Sequence, residues 1–160
     1  MSTPSLRPQI FLGADHRGFK LAEALMVWAK DNDLPIFQLG ALSLDSDDDY
    51  VDYAVAVANR VRDEIQAQRP AMGIVICGSG VGVDVVANKT IHIRSCLGFS
   101  EDQVRRARSD DDVNVLSLGA DYIDIGLAKR LVMLFLSTPF NIQEERYSRR
   151  LRKIEELSIL

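Results

Sequence analysis

The residues best suited to chemistry fall in three short stretches. The first is Cys77-Gly-Ser-Gly-Val-Gly82, which follows the apolar run Met72–Ile76 and precedes VDVVANK. Such a run reads as a strand buried on both faces. Glycines at 78, 80 and 82 let the backbone curl, so that successive N–H groups and the start of the next helix face one point. That point suits a phosphate, or an oxygen gaining negative charge. Cys77 stands beside these amides, where a thiol can work as a base; the competing reading is an inert small hydrophobe. No nucleotide-loop pattern fits. Val83-Asp84-Val85 follows Gly82 in place of the GxGxxG spacing, and Lys89 is not preceded by a Walker A loop.

The second stretch is Asp15 and His16, with Arg17 behind them, at the end of the apolar run Gln9–Ala14. Two polar side chains there are poor core residues and good site residues, the competing reading being an exposed turn. The third is basic: Arg146, Arg149, Arg150, Arg152 and Lys153, interleaved with glutamates near the C-terminus. Arginine forks suit phosphate oxygens, and the plainer reading is a solvated charged helix. The glutamates dilute the charge too far for a membrane-surface helix.

Other polar groups read as structural. Four aspartates between Ser43 and Asp49 lack the spacing and terminal Glu of a calcium loop and read as a solvated loop. Cys96 reads as core, and His92 as structural or surface. Arg105, Arg106 and Arg108 with Asp110, Asp111 and Asp112 read as a solvated helix and its end.

The elements that must carry these residues alternate. Strands are expected at 9–15, 35–40, 72–78, 92–99 and 113–119. Helices are expected at 19–33, 50–68, over VDVVANK, after a Ser100 cap, at 124–138 and at 144–157. Alternation of this kind predicts an α/β, Rossmann-like three-layer α/β/α sandwich: a five-stranded parallel sheet plus an extra C-terminal helix. Ligands of such sheets collect outside the carboxyl ends of the strands.

The chain has 160 residues, 47% hydrophobic and 26% charged. These figures fit one globular domain over 1–160, with a core of about 9–138 and a terminal helix at about 144–157. The formal charge of −4 argues against a nucleic-acid partner. Two cysteines and two histidines build neither a disulfide framework nor a metal cluster. No leader-like segment precedes Gln9 and no apolar stretch is long enough to span a membrane, so the expected location is the cytoplasm.

GADHRGFKL, DYVDYA, ICGSGVGVDVVANK, IRSCLGFS and DVNVLSLG together resemble the ribose-5-phosphate isomerase type B family, which also includes the galactose-6-phosphate isomerase subunits. The resemblance runs over about residues 9–155. It implies a Rossmann-like domain and a homodimer, sometimes a dimer of dimers, with active sites shared across the interface. It further implies aldose–ketose isomerisation of a sugar phosphate through a cis-enediolate, without metal, nucleotide or other cofactor. Asp15 and His16 match the family's Asp-His pair near the substrate hydroxyls, ring oxygen and phosphate, with Arg17 beside them. Tyr50 matches a substrate-binding tyrosine. Cys77 matches the cysteine that carries the proton between C1 and C2, since Val83 stands where another branch has a glutamate. Gly78, Ser79, Gly80, Val81 and Gly82 match the anion hole for the enediolate oxygens. Arg146 and Arg150 match arginines that reach the phosphate from the partner subunit, and Asn114 falls within the substrate-binding segment.

Three departures stand out. Val51 replaces a usual proline, and Tyr147 stands where one branch has a histidine. Asp110 and Asp111 stand where the family has a His-Asn pair, the His for ring opening and the Asn for steadying the enediolate. An Asp can accept a proton from a sugar hydroxyl if its pKa is raised. The expectation is therefore an isomerase of D-ribose 5-phosphate. Its rivals are the same chemistry on another pentose or hexose phosphate, and a sugar-phosphate-binding homologue without catalysis.

Overall fold

The computed structural model describes residues 7–157; residues 1–6 and 158–160, at the two ends of the expected domain, lie outside the described residues. The elements are β1 (Gln9–Ala14), α1 (Phe19–Asp31), β2 (Ile36–Gln38), α2 (Tyr50–Gln66), β3 (Ala71–Cys77), α3 (Val81–Ala87), β4 (Ser95–Leu97), α4 (Glu101–Asp111), β5 (Val115–Gly119), α5 (Ile125–Ser137) and α6 (Glu145–Leu157). All strand pairings are parallel, in the order β2-β1-β3-β5-β4. This is the expected α/β sandwich with its additional C-terminal helix.

Period-two alternation sorts the strand side chains between two cores. Ile10, Leu12, Ile74, Ile76, Leu116 and Leu118 meet α1, α4 and α5 on one face. Phe11, Val75, Cys77 and Val115 meet α2 and α3 on the other. Central strands β3 and β5 are buried throughout. Each aliphatic side chain fully buried in this way contributes about 1.5–3 kcal/mol, so the sheet's middle is its most firmly fixed part. Glu64 on α2 is a charged side chain drawn into the core, where Arg60 (2.8 Å) and Arg69 pair with it.

Two boundaries differ from the sequence pattern for local reasons. α3 begins at Val81, because Gly80 with φ +77° turns the chain directly into the helix. β4 is three residues rather than eight. Before it, His92 adopts φ +66°, and the Asn114 amide captures the Arg94 N–H and the His92 carbonyl, both at 2.8 Å, which diverts residues 92–94 from strand pairing. No helix among the described residues is long and apolar enough to cross a membrane.

Candidate active site

β1 and β3 are neighbours whose following helices leave on opposite faces, so their carboxyl ends open a crevice between Asp15–Gly18 and Cys77–Gly82. Asp15 is buried there, 4% exposed. Its Oδ1 accepts the Gly18 N–H at 2.9 Å, and its own N–H donates to the Ile76 carbonyl at 3.3 Å. Across the crevice Cys77 ends β3, equally buried. The Gly80 N–H donates to Cys77 Sγ at 3.1 Å, and the Val81 N–H donates to Ser79 Oγ at 3.2 Å. The loop thus turns its amides toward the sulfur and the hydroxyl.

Gly80 alone carries a left-handed φ in this loop, a conformation that a Cβ penalises. At Gly82 the reason for glycine is contact: a Cβ would stand 2.7 Å from the Tyr50 ring. Tyr50, the first residue of α2, therefore lies over the glycine loop. Arg17 and Asp121 pair across Gly78, joining the loops after β1 and β5. The Asp121 N–H donates to the Gly78 carbonyl at 3.0 Å. Asp121 was not singled out in the sequence, although it lies in the loop after the fifth strand, at the ligand-binding end.

Asp48 is the larger omission, because the acidic loop reads as solvated and most of it is. Asp48 folds inward: its Oδ1 accepts the His16 backbone N–H at 3.0 Å and lies 2.6 Å from the ring Nδ1. The Asp48 hydrogen bond raises the His16 pKa above its usual value, with Asp15 adding to this and Arg17 opposing. Burial pushes the Asp48 carboxyl up, but the hydrogen bonds from His16 outweigh it and hold it below the usual range. Asp49 is the N-cap of α2, its side chain accepting the Val51 N–H at 3.0 Å, and this fixes Asp48 one residue ahead of the cap.

Asp15, His16 and Asp48 offer ligand atoms within 4.8 Å of one another, the one such group among the described residues. Among them, His16 Nδ1 and Asp48 Oδ1 hold each other and Asp15 Oδ1 holds the Gly18 N–H.

The remaining expected residues gather at the opposite, amino end of the strands. α4 runs back along the sheet, so Asp110 and Asp111 close it beside the entry to β4, where the Asp111 carbonyl accepts from Arg94 Nε at 3.1 Å. Burial and then Asp110 raise the Asp111 pKa, while Arg150 and Arg94 oppose. On α6, Arg146 and Arg150 flank the Tyr147 ring, 5.2 and 6.0 Å from its centroid. Glu155 anchors that helix to Arg94 (2.9 Å) and to His92 Nδ1 (2.8 Å). A groove of about 900 Å3 opens there beside edge strand β4, lined in part by Arg94, Arg106, Asp111 and Ile154. Cys96, also in its wall, is half-buried, and burial followed by the Asp84 charge pushes its thiol up to about 11.

Asn114 lies at this same end, where its amide accepts the Arg94 N–H and donates to the His92 carbonyl. One chain thus brings Asp15, His16, Arg17, Tyr50 and Cys77–Gly82 together. Asp110, Asp111, Arg146 and Arg150 form a separate group at the far end of the sheet.

An α/β domain with a glycine-loop site at the carboxyl end of a parallel sheet is the class that this fold and crevice define. The chain belongs to the ribose/galactose isomerase family, whose profile matches residues 10–154. It is 34% identical to a probable ribose-5-phosphate isomerase B of Mycoplasma genitalium over 145 residues, 91% of this chain and 92% of that one. It is 30% identical to ribose-5-phosphate isomerase B of Mycobacterium leprae over 148 residues, 92% and 88% of the two chains. The crystal structure of the Mycoplasma genitalium isomerase with bound ribulose-5-phosphate superimposes with a TM-score of 0.85 at 33% identity, covering 93% of this chain and 95% of that one. Family membership indicates isomerase activity on a sugar phosphate.

Proposed function

We propose that the protein interconverts D-ribose 5-phosphate and D-ribulose 5-phosphate, with Cys77 as the base. The observation that carries this reading is the crevice itself: a cysteine sulfur and a curled run of backbone amides face Asp15 and His16 across the β1/β3 junction. The solved relative of similar fold that holds ribulose-5-phosphate supports the choice of sugar.

The chemistry needs a base, a site for developing negative charge and an anchor for the phosphate. Cys77 as thiolate takes the proton from C2. The C–H electrons form the C1–C2 double bond of an enediolate as the C1 carbonyl pair moves onto O1; the O2 hydroxyl proton passes to O1, and return of the proton from the thiol to C1 leaves the carbonyl at C2. The amides of Gly78, Gly80, Val81 and Gly82, with the Ser79 hydroxyl, stabilise the enediolate oxygens, the Gly80 and Val81 N–H groups turning to them from Cys77 Sγ and Ser79 Oγ. Asp15, Arg17 and Tyr50 orient the hydroxyls, and His16 meets the phosphate. Arg146 and Arg150 complete the phosphate clamp from a second copy of the chain. That arrangement follows from their position at the amino end of the sheet: an antiparallel pair related by a two-fold axis joins each crevice to the partner's arginine helix. α6 buries none of its residues within the chain, which suits a helix completed by a partner. Whether two such dimers pair into a tetramer is a matter for solution mass measurement.

A second reading keeps the chemistry and changes the sugar. Asp110 and Asp111 occupy the positions that the family resemblance gives to a ring-opening histidine and an asparagine. A carboxyl held above its ordinary range, as Asp111 is, is the better acceptor for a sugar hydroxyl proton. Turnover of ribose 5-phosphate, measured beside a panel of pentose and hexose phosphates in deuterated water, tests both readings. Deuterium entering the product of ribose 5-phosphate supports the first, and preferential turnover of another aldose phosphate supports the second. Absence of exchange with every sugar leaves a binding homologue.

A further inference from the structure

The acidic loop between β2 and α2 is pinned on either side of Asp48. The Asp47 N–H donates to Asp45 Oδ1 at 3.0 Å, and Asp49 caps α2. Between these points the Asp48 side chain is 6% exposed. One of its oxygens holds His16 twice, by the main-chain N–H and at ring Nδ1. Its other oxygen, Oδ2, is buried without a hydrogen-bond partner among the described residues, so His16 is the principal partner of this carboxylate. An imidazole gripped at Nδ1 has one nitrogen left, Nε2, for the crevice.

The protonation state then follows from the hydrogen-bond inventory. A neutral ring that donates Nδ1–H to Asp48 presents a bare Nε2 lone pair, which repels a phosphate oxygen. Only the imidazolium donates on both sides. We infer that Asp48 is a positioning residue of the substrate site: it holds His16 as an imidazolium whose Nδ1–H is spent on the carboxylate and whose Nε2–H is presented to an anionic ligand. The groups that face this pair agree with the assignment. Asp48 and Asp15 favour the charged ring, while burial and the Arg17 charge oppose it. Tyr53 on α2, raised by burial and by the Asp48 charge, remains a neutral phenol against the carboxylate, with Asp45 and Asp52 beyond it. The role extends the sugar-phosphate reading, yet the His16–Asp48 arrangement is measurable without any sugar.

The test is nitrogen NMR of protein labelled at histidine. The chain has two histidines, and a His92→Gln variant assigns them. In the wild type His16 should carry protons on both nitrogens at neutral pH, and inorganic phosphate should shift its Nε2 signal. In Asp48→Asn the His16 titration should move to lower pH, and the Kd for inorganic phosphate at neutral pH should rise about tenfold, the weight of one well-aimed charge-assisted contact. A purely structural Asp48 would lower thermal stability and leave the His16 titration where it was, and that result overturns the inference. Should Asp48→Asn fail to fold, the wild type still decides: a neutral His16 with a bare Nδ1 at neutral pH contradicts it. If the wild type turns over no aldose phosphate, the substrate reading fails while the NMR result stands by itself.

Discussion

The two ends of the sheet hold different kinds of chemical equipment. At the carboxyl end the functional groups are short and built in: backbone amides, a buried thiol and a buried aspartate, each fixed by the strand that ends there. At the amino end they are long arginines on a helix with no buried residue. There, exposed ion pairs such as Arg149–Glu145 are worth only about 0.2–1 kcal/mol each. The rigid end suits a transition state, whose charge is best met by groups already held near it. The adaptable end suits a phosphate, which arginine forks can follow. The chain holds the two sets apart by the length of its own sheet, and the proposed mechanism reunites them through a second copy.

Substitutions at the two ends should therefore fail in different ways. The largest effect is expected from Cys77→Ala: kcat for the preferred aldose phosphate should fall about 10²–10⁴-fold, the usual worth of a positioned acid–base group, with KM and the circular dichroism spectrum little changed. Unchanged turnover would remove Cys77 from the mechanism. Next comes the double variant Arg146→Ala/Arg150→Ala, which should raise KM about 100-fold while kcat falls less, since each lost charge-assisted contact to the phosphate is worth about 1.5–3 kcal/mol. A loss confined to kcat would contradict the clamp.

The smallest effect separates the ends by sign. His16 is raised and Asp48 is lowered, so their pair stabilises the fold above the ordinary aspartate value of 3.8. The carboxylate's share is lost as pH falls through its folded value. The histidine's share is complete below 6.5 and lost as pH rises through the raised value. Asp111 is raised instead, so its ionised form costs stability; the cost is complete above its folded value, shrinks as pH falls below that value and is gone below 3.8. At neutral pH, melting curves should show Asp48→Asn below the wild type and Asp111→Asn at or above it. Shifts of the same sign would show that the two acids do not differ in this way.

Much of the fold was legible because its signals are local. Met72–Ile76 reads as a buried strand without help, and Ser100, with its hydroxyl accepting the Gln103 N–H, caps a helix where the sequence pattern expects one. The glycine loop was legible for the same reason. What the sequence hid depends on contacts between distant residues. Asp48 lies 32 positions from His16 and is one of four similar aspartates, so nothing local sets it apart. Asn114 offers a polar side chain at a strand entry, and only the tertiary fold reveals that its amide holds the loop at 92–94. Glu64 is buried on α2 with Arg60 one turn back and Arg69 beyond the helix end, and the Arg69 contact is visible only in the fold.

The central claim is that each active site takes its base from one chain and its phosphate clamp from another. Mixing two proteins, each nearly inactive when assayed at substrate concentrations below the wild-type KM, tests it directly. Cys77→Ala retains an intact arginine helix, and Arg146→Ala/Arg150→Ala retains an intact crevice. After unfolding and refolding together at equal concentrations, half of the dimers should be mixed, each with one complete site. Activity should then recover to about a quarter of the wild-type value, from two preparations that are each nearly inactive. A mixture no more active than the mean of its parents would mean that the crevice and the arginines do not meet across an interface.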